Sequence, residues 1–492
     1  MANILLGNSS PTSAYEVIQT KVVNHEEFHP INMIFDRVVS IPQKLILDVP
    51  NPPCLCNKIG GLAKHSIAVE SGSLYSEEEG AGVPLLLING GPGGTHHCFH
   101  PYFSKAKDFA HLIYYDQRGT GLSSKDETGK TYTIQQAVED IESLRKAYHI
   151  DRWAVLGWSY GGLLAQCYAL TYPEHVSGLV LVASADALKN VKLKPDREQL
   201  FMSEDEVSAI RRIQSNTSLN EIQILYNSTL AGDWKRQNLY QPTLEESALQ
   251  SRYEWSPSPG FRELIGRDME KIGLDGKFDD FEIPTLVMEG KWDLTWDVDK
   301  VDAMRHNHPH GQFELFERSS HCIFHDESDR FFSILRQFLE SSSRQQISYK
   351  PGHRIEWPVE ASELLRMIAV KGGSYSDYYE EALTKNILDV DFWANIVGEM
   401  LSAKRGDDKC FIALQKLEYS MRCHDSKQWF EWGFGIKTLQ GHVLDILGRR
   451  ELATECYREA LDSVGEKEGD FFISHIDRKR ICDCLVTPFK WE

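Results

Sequence analysis

Basic charge is what this chain is short of. Its 53 Lys and Arg residues face 72 Asp and Glu, a formal net charge of −19. A surface this acidic repels nucleic-acid phosphates and anionic lipid headgroups. The longest basic run, Arg478-Lys479-Arg480, follows Asp477, so no basic groove is expected and neither nucleic acid nor a membrane surface is an expected partner. Long apolar runs are missing too. No stretch reaches the roughly 18 residues that a bilayer-spanning helix needs. The first residues, Met1-Ala2-Asn3-Ile4-Leu5-Leu6-Gly7, lack the basic start and apolar core of a secretory signal, and the expected address is cytoplasmic. The triplets headed by Asn8, Asn216 and Asn227 then read as chance matches to a glycosylation acceptor. The 10 cysteines are dilute, which excludes a disulfide scaffold and fits a reducing compartment. Two close pairs, Cys54/Cys56 and Cys482/Cys484, lack the C-x-x-C spacing of a zinc knuckle or redox turn and read as unremarkable thiols.

What is present is ordinary globular material: 41% hydrophobic and 25% charged residues spread over 492 positions, enough for two or three domains. Residues 1–80 form an N-terminal extension packing on or leading into the core, with Glu77 to Gly82 read as a solvated turn. From 81 the pattern sharpens. Leu85–Ile88, Leu112–Tyr115, Trp153–Leu156 and Leu179–Val182 are short apolar runs, each suited to a strand buried on both faces. Between the first two, residues 97–108 have room for a helix. Thr133 and Gln136 have capping-box spacing ahead of an apolar stripe at Ile134, Val138, Ile141 and Leu144. Alternating strands and helices predict a parallel sheet with right-handed crossovers.

The alternation stops at 186–280, a polar, helix-leaning block that reads as an inserted lid. It resumes with Pro284–Glu289, Phe313–Phe316 and a helix near 327–340. The α/β core is therefore expected over 81–185 and 281–340. Residues 350–492 are all-helical in pattern. Gly441, Leu444, Gly448, Ala453, Tyr457 and Ala460 suggest a tetratricopeptide-type hairpin, though no second copy can be phased. A protein partner or self-association through these helices is an open expectation.

Chemistry concentrates at strand ends. In Gly157-Trp158-Ser159-Tyr160-Gly161-Gly162, a serine stands where a strand becomes a helix. A hydroxyl nucleophile needs that exposure, a base, and backbone N–H groups facing the developing oxyanion. Asp293 falls just after the strand ending at Glu289, with Asp297 and Asp299 as rivals. His321 follows the strand 313–316, with His325 as runner-up. Ser159, Asp293 and His321 are thus the expected nucleophile, orienting acid and base. The glycine loop Gly90-Gly91-Pro92-Gly93-Gly94 predicts Gly91 N–H beside Tyr160 N–H as the oxyanion donors. Arg118, in Asp116-Gln117-Arg118-Gly119, reads as an anchor for loops. His306, His308 and His310 sit in a polar loop with no carboxylate nearby and read as surface imidazoles, so no metal site is expected.

Together these motifs give residues from about 83 to 340 a resemblance to the α/β-hydrolase fold. Within it, G-G-P-G at 90–93 with D-Q-R-G-x-G-x-S at 116–123 resembles the proline iminopeptidase-like serine peptidases. The resemblance implies a Ser159–Asp293–His321 triad and acyl-enzyme chemistry that releases N-terminal residues from short peptides or aminoacyl amides. It implies neither metal nor organic cofactor. It further implies lid carboxylates for a free α-amine, for which Glu204 and Glu206 are the candidates beside Glu245 and Glu246. The chain departs from that pattern at Asn89 before the glycine loop, at Tyr160 and at Ser320. Two other readings stand: an ester, lactone or metabolite-amide hydrolase on the same triad, and an inert domain serving as a scaffold or peptide-binding module.

Overall fold

The computed structural model describes residues 44–51, 54–185, 201–239, 250, 252–295, 298–344, 355–358, 360–424, 426–464 and 478–490. The chain divides into two units, Met1–Val359 and Glu360–Glu492.

Among the described residues, the first unit is built on an eight-stranded sheet of order β1-β2-β4-β3-β5-β6-β7-β8. Its strands are β1 (Ala63–Val69), β2 (Gly72–Gly80), β3 (Val83–Ile88), β4 (Ala110–Tyr115), β5 (Trp153–Trp158), β6 (Val176–Val182), β7 (Thr285–Gly290) and β8 (Gln312–Phe316). From β4 to β8 all pairs are parallel, and β5, β6 and β7 are buried along their whole length. Continuous apolar runs are what double-sided burial demands.

The expectation of a wholly parallel sheet is corrected at one edge. β1 pairs β2, and β2 pairs β4, both antiparallel. The run Glu77-Glu78-Glu79 is not a solvated turn but the second half of β2, with Glu77 and Glu79 buried. The acids are tolerated there because each finds donors. Tyr75 Oη donates to Glu77 at 2.6 Å, while Tyr114 Oη and Ser104 Oγ reach Glu79 at 2.8 and 2.6 Å. Buried carboxylates survive when hydrogen-bonded in this way.

Helices α1 (Ile134–Ala147) and α2 (Tyr160–Thr171) follow β4 and β5. Thr133 caps α1 by accepting from Gln136 N–H. The expected helix at 97–108 is two 3₁₀ turns, His96–Phe99 and Tyr102–Ala106. Pro101 separates them, since it has no N–H to continue a helix and restricts His100 before it.

Between β6 and β7 the described lid comprises α3 (Glu204–Gln214), α4 (Glu221–Leu230) and α5 (Phe261–Lys271), with a 3₁₀ turn at Asp233–Arg236. The segment 44–51 lies against it. Asn227, fully buried, accepts from Ile46 N–H and donates to Ile46 O, while Arg252 donates to Pro50 O. The unit closes with α6 (Val298–Asn307) and α7 (Ser328–Ser342).

The second unit has helices α8 (Glu363–Lys371), α9 (Tyr379–Thr384), α10 (Val390–Ser402), α11 (Asp408–His424), α12 (Ser426–Ile446), α13 (Arg450–Val464) and α14 (Arg478–Val486). The hairpin expected from Gly441 and Tyr457 is there, as α12 and α13. A Cβ on Gly441 would lie 2.4 Å from Tyr457 Cε1, so only glycine lets the ring seat there. Among the described residues a repeat of that hairpin is not shown. Among the described residues no helix is long and apolar enough to cross a membrane.

Candidate active site

The site forms where β3, β5, β7 and β8 end. Ser159 links β5 to α2 with φ 56° and ψ −124°, a left-handed backbone that a non-glycine residue adopts only under local constraint. The constraint is visible. Ser159 N–H donates to Val182 O at 2.9 Å, and Ser159 O accepts from Gly162 N–H and Ser184 Oγ at 2.9 and 3.0 Å. The glycines are sterically required. A Cβ on Gly157 would lie 2.2 Å from Gly161 O, and one on Gly161 would lie 2.2 Å from Ile88 O.

Asp293 and His321 are brought together from the loops after β7 and β8. His321 Nδ1 lies 2.6 Å from Asp293 Oδ2. Asp293 Oδ1 accepts from Thr295 N–H and Oγ1–H at 2.8 and 2.9 Å. Burial pushes the Asp293 carboxyl up, but the charge of His321, its hydrogen bond and the charge of Lys300 outweigh that and hold the group well below the usual range. Lys300 is itself buried against Glu289 at 3.0 Å. A Cβ on Gly290 would lie 2.1 Å from Ser320 O, so the strand end and the histidine loop touch.

Trp158 connects this pair to the serine. Its indole N–H donates to His321 O at 3.1 Å, and the two rings lie 5.4 Å apart. Ser159 is the next residue and is partly exposed, whereas Asp293 is buried. His325 is buried and packs edge-on to Tyr102; Asp297 and the side chain of Asp299 lie outside the described residues.

The glycine loop approaches from β3. A Cβ on Gly90 would lie 3.1 Å from Ser159 Cβ, and Gly91 has φ 131°. Asn89 Nδ2 donates to Gly94 O at 2.6 Å, and Gln117 Nε2 donates to Asn89 O at 3.2 Å, which fixes the loop. Tyr160 opens α2, so its amide is one of the first-turn donors that no intrahelical carbonyl can satisfy.

Two expectations from sequence need correction. Glu206 is not free for a substrate amine: it closes a capping box with Ser203 and pairs with Lys235 Nζ at 2.7 Å, while Glu204 is exposed on the first turn of α3. Glu245 and Glu246 lie outside the described residues. His308 is not a surface imidazole. It is buried against Phe278, its Nε2 lies 3.0 Å from Gln166 Oε1, and burial pushes it down to about 4. His306 and His310 are exposed.

Two features escaped sequence reading altogether. Glu254 is an exposed residue whose peptide carbonyl accepts from Thr95 N–H at 3.0 Å, and desolvation pushes its carboxyl up to about 7. Its charge helps to push up the thiol of Cys322, the residue after His321, although burial is the larger cause. The Gly94–Trp255 bridge brings it to the glycine loop, and no local pattern in the sequence announces that bridge. The second feature is a buried group of Cys56, Glu77, His96 and His100. Its signal was the run Thr95-His96-His97-Cys98-Phe99-His100 directly after the glycine loop.

The alpha/beta hydrolase fold family model matches residues 83–328, half of the chain. Proline iminopeptidase of Saccharolobus solfataricus is 25% identical over 271 residues, covering 53% of this chain and 86% of that protein. Proline iminopeptidase of Lactobacillus acidophilus is 29% identical over 270 residues, covering 53% of this chain and 90% of its own length. A crystal structure of proline iminopeptidase from Mycobacterium smegmatis, 20% identical, covers 57% of this chain and 98% of that one with a TM-score of 0.46. A serine raised on a glycine-framed elbow, loops after β7 and β8 that join an acid to a histidine, and a family model over the strands that carry them agree: the chain belongs to the alpha/beta hydrolase fold family and is related, at modest identity, to its proline iminopeptidase branch.

Proposed function

We propose that this protein is a serine hydrolase that removes the N-terminal residue from short peptides or aminoacyl amides. The observation that carries the reading is the 2.6 Å contact of His321 Nδ1 with Asp293, held by Trp158 beside the Ser159 elbow. With Nδ1 engaged, Nε2 of His321 is the nitrogen left to take the proton from Ser159 Oγ as that oxygen attacks the carbonyl carbon. The tetrahedral oxyanion accepts from Tyr160 N–H and Gly91 N–H. On collapse, His321 returns the proton to the leaving amine. Water then attacks the acyl-enzyme with His321 again as base, and Ser159 is regenerated.

Amine selection is assigned to Glu254, which the Gly94–Trp255 bridge and the hydrogen bond from Thr95 N–H to its carbonyl hold against the glycine loop. A carboxylate raised to about 7 by desolvation gains most from an ammonium partner, because that partner supplies the charge compensation it lacks. The test compares one aminoacyl-arylamide with its N-acetyl derivative. Acetylation should lower kcat/KM by about 100-fold, the scale of a lost charge-assisted contact. Glu254→Gln should remove most of that discrimination while leaving simple acyl esters nearly untouched. The KM for the free-amine substrate should rise as pH falls through about 7, since Glu254 is protonated there. Equal rates on both substrates would transfer the site to the ester, lactone or metabolite-amide reading. Full retention of turnover in Ser159→Ala would refute the serine-hydrolase chemistry itself.

A further inference from the structure

Cys56, Glu77, His96 and His100 each offer one ligand atom within 4.8 Å of the others, and all four residues are buried. They come from three separate places in the chain. Cys56 lies in the 3₁₀ turn Leu55–Lys58, Glu77 in the middle of β2, and the two histidines in and just after the turn that follows the glycine loop. Cys56 Sγ is 3.8 Å from His96 Nε2, and Glu77 Oε1 is 3.6 Å from the same nitrogen. Glu77 Oε2 lies 3.0 Å from His100 Nε2.

These spacings have a chemical meaning. Zinc bonds are about 2.0 Å to nitrogen or oxygen and about 2.3 Å to sulfur, so the edges of a tetrahedral site run to roughly 3.3–3.7 Å. Two of the three measured edges already fall at or near that range, and the shorter Glu77–His100 edge needs only a few tenths of an ångström. One thiolate, two imidazoles and one carboxylate form a borderline donor set of the kind that takes zinc, not magnesium or calcium. A thiolate and a carboxylate also cancel the charge of a divalent ion, so the filled site places no net charge among its ligands.

The outer contacts support the same geometry. Asp116 Oδ1 lies 2.7 Å from His96 Nδ1 and also accepts His96 N–H at 2.9 Å, which turns Nε2 toward Cys56 and Glu77. Asp116 is held in turn by Leu122 N–H, and a Cβ on Gly121 would meet its carboxylate at 2.2 Å. A carboxylate orienting the far nitrogen of a ligating histidine is a recurrent feature of metal sites. We propose that Cys56, Glu77, His96 and His100 bind one zinc ion that staples the turn at 55–58 to β2 and to the loop after the glycine turn. Cys54 and His97 form with Cys56 a second, less buried group of possible ligands, which the Cys54 variant below distinguishes from the buried one.

The test uses the full chain, without a histidine tag, dialysed against micromolar zinc and then against metal-free buffer. One zinc per chain should remain by elemental analysis. Its removal with a strong chelator should lower the melting temperature by several degrees, and zinc alone should restore it. Cobalt added to the stripped protein should give a thiolate-to-cobalt charge-transfer band. Cys56→Ser should abolish that band and Cys54→Ser should keep it, a spectroscopic readout that does not depend on turnover. Glu77→Gln and His100→Gln should weaken zinc retention at least 10-fold. If no metal is retained and no such band appears, the proposal fails. It also fails if Cys54→Ser loses the ion while Glu77→Gln and His100→Gln hold it.

Discussion

Replacing Asp293 by asparagine asks which nitrogen of His321 carries its proton, and the surroundings of Asp293 dictate the answer. Oδ1 accepts two hydrogen bonds from Thr295, at 2.8 Å from N–H and 2.9 Å from Oγ1, while Oδ2 faces His321 Nδ1 at 2.6 Å. Asparagine has only one oxygen to offer. The Thr295 N–H cannot become an acceptor, so the oxygen must stay beside Thr295 and the NH₂ group must face His321. A donor facing Nδ1 requires a lone pair there. The imidazole proton therefore moves to Nε2, the nitrogen that must accept from Ser159. Turning the amide over would set NH₂ against the Thr295 N–H and leave a buried donor unmet, at a cost of about 1–3 kcal/mol. That bias alone keeps most of the population in the unproductive tautomer. Loss of the carboxylate also removes the charge that stabilises the imidazolium in the transition state. The combined loss should reach about 10³–10⁴-fold in kcat/KM, equivalent to roughly 4–5.5 kcal/mol. Steady-state kinetics on the best arylamide or ester, with a thermal melt beside it, is the measurement. The melt should stay near wild type, because Lys300 retains Glu289. Activity within 10-fold of wild type would refute the tautomer argument, as would a collapse of the melt large enough to account for the loss.

Two further substitutions report on stability. Arg118 is nearly buried and grips Asp140 with two nitrogens, at 2.9 and 2.6 Å, while bonding Glu70 O and Ser71 O in the turn between β1 and β2. Arg118→Met leaves Asp140 buried with only Gln136 in reach, and should cost about 3–5 kcal/mol in denaturant unfolding of the first unit. Arg118→Met/Asp140→Leu should recover most of that, and a single-variant loss below about 1 kcal/mol would contradict the anchoring role. Asp268 is the opposite case, with its carboxyl pushed up to about 6 mainly by burial. The folded protein then holds that proton more tightly than the unfolded chain, so stability falls as pH rises from about 4 to about 6 and stays lower above. Asp268→Asn keeps an acceptor for Ile134 N–H and should add roughly 1–3 kcal/mol at pH 8 but almost nothing at pH 4. Equal effects at both pH values would sink that assignment.

The parallel strands were legible because double-sided burial leaves no room for polar alternation, so Leu85–Ile88 or Leu179–Val182 could hardly be anything else. The candidate nucleophile, acid and base were legible because each sits at a strand end marked by glycine or a turn. What failed to show was polar and long-range. Glu77 and Glu79 look like solvent-facing acids until Tyr75, Tyr114 and Ser104 arrive from elsewhere in the chain to bond them. His308 looks exposed until Phe278 and Gln166 enclose it. Glu206 looks like a free lid acid until the Ser203 cap and Lys235 engage it.

The stretch Asp116-Gln117-Arg118 shows why two motifs far apart in sequence belong to one device. β4 ends at Tyr115, beside β3, so these three residues emerge next to the loop that leaves β3. Asp116 takes His96, Gln117 takes the carbonyl of Asn89, and Arg118 takes Asp140 on α1. Three consecutive side chains thus reach the far end of the glycine loop, its near end and the helix behind it. None of these contacts requires a substrate. Their common effect is to hold Gly90 against Ser159, where a Cβ would already touch, and so to fix where the Gly91 amide lies relative to the elbow. Donors for a transient oxyanion help only if they need not be reorganised when the charge appears. On this reasoning a cluster buried behind the loop and a serine in front of it are mechanically coupled. An ion held by His96 and His100 would stiffen the same backbone that Gln117 and Asn89 already tie down.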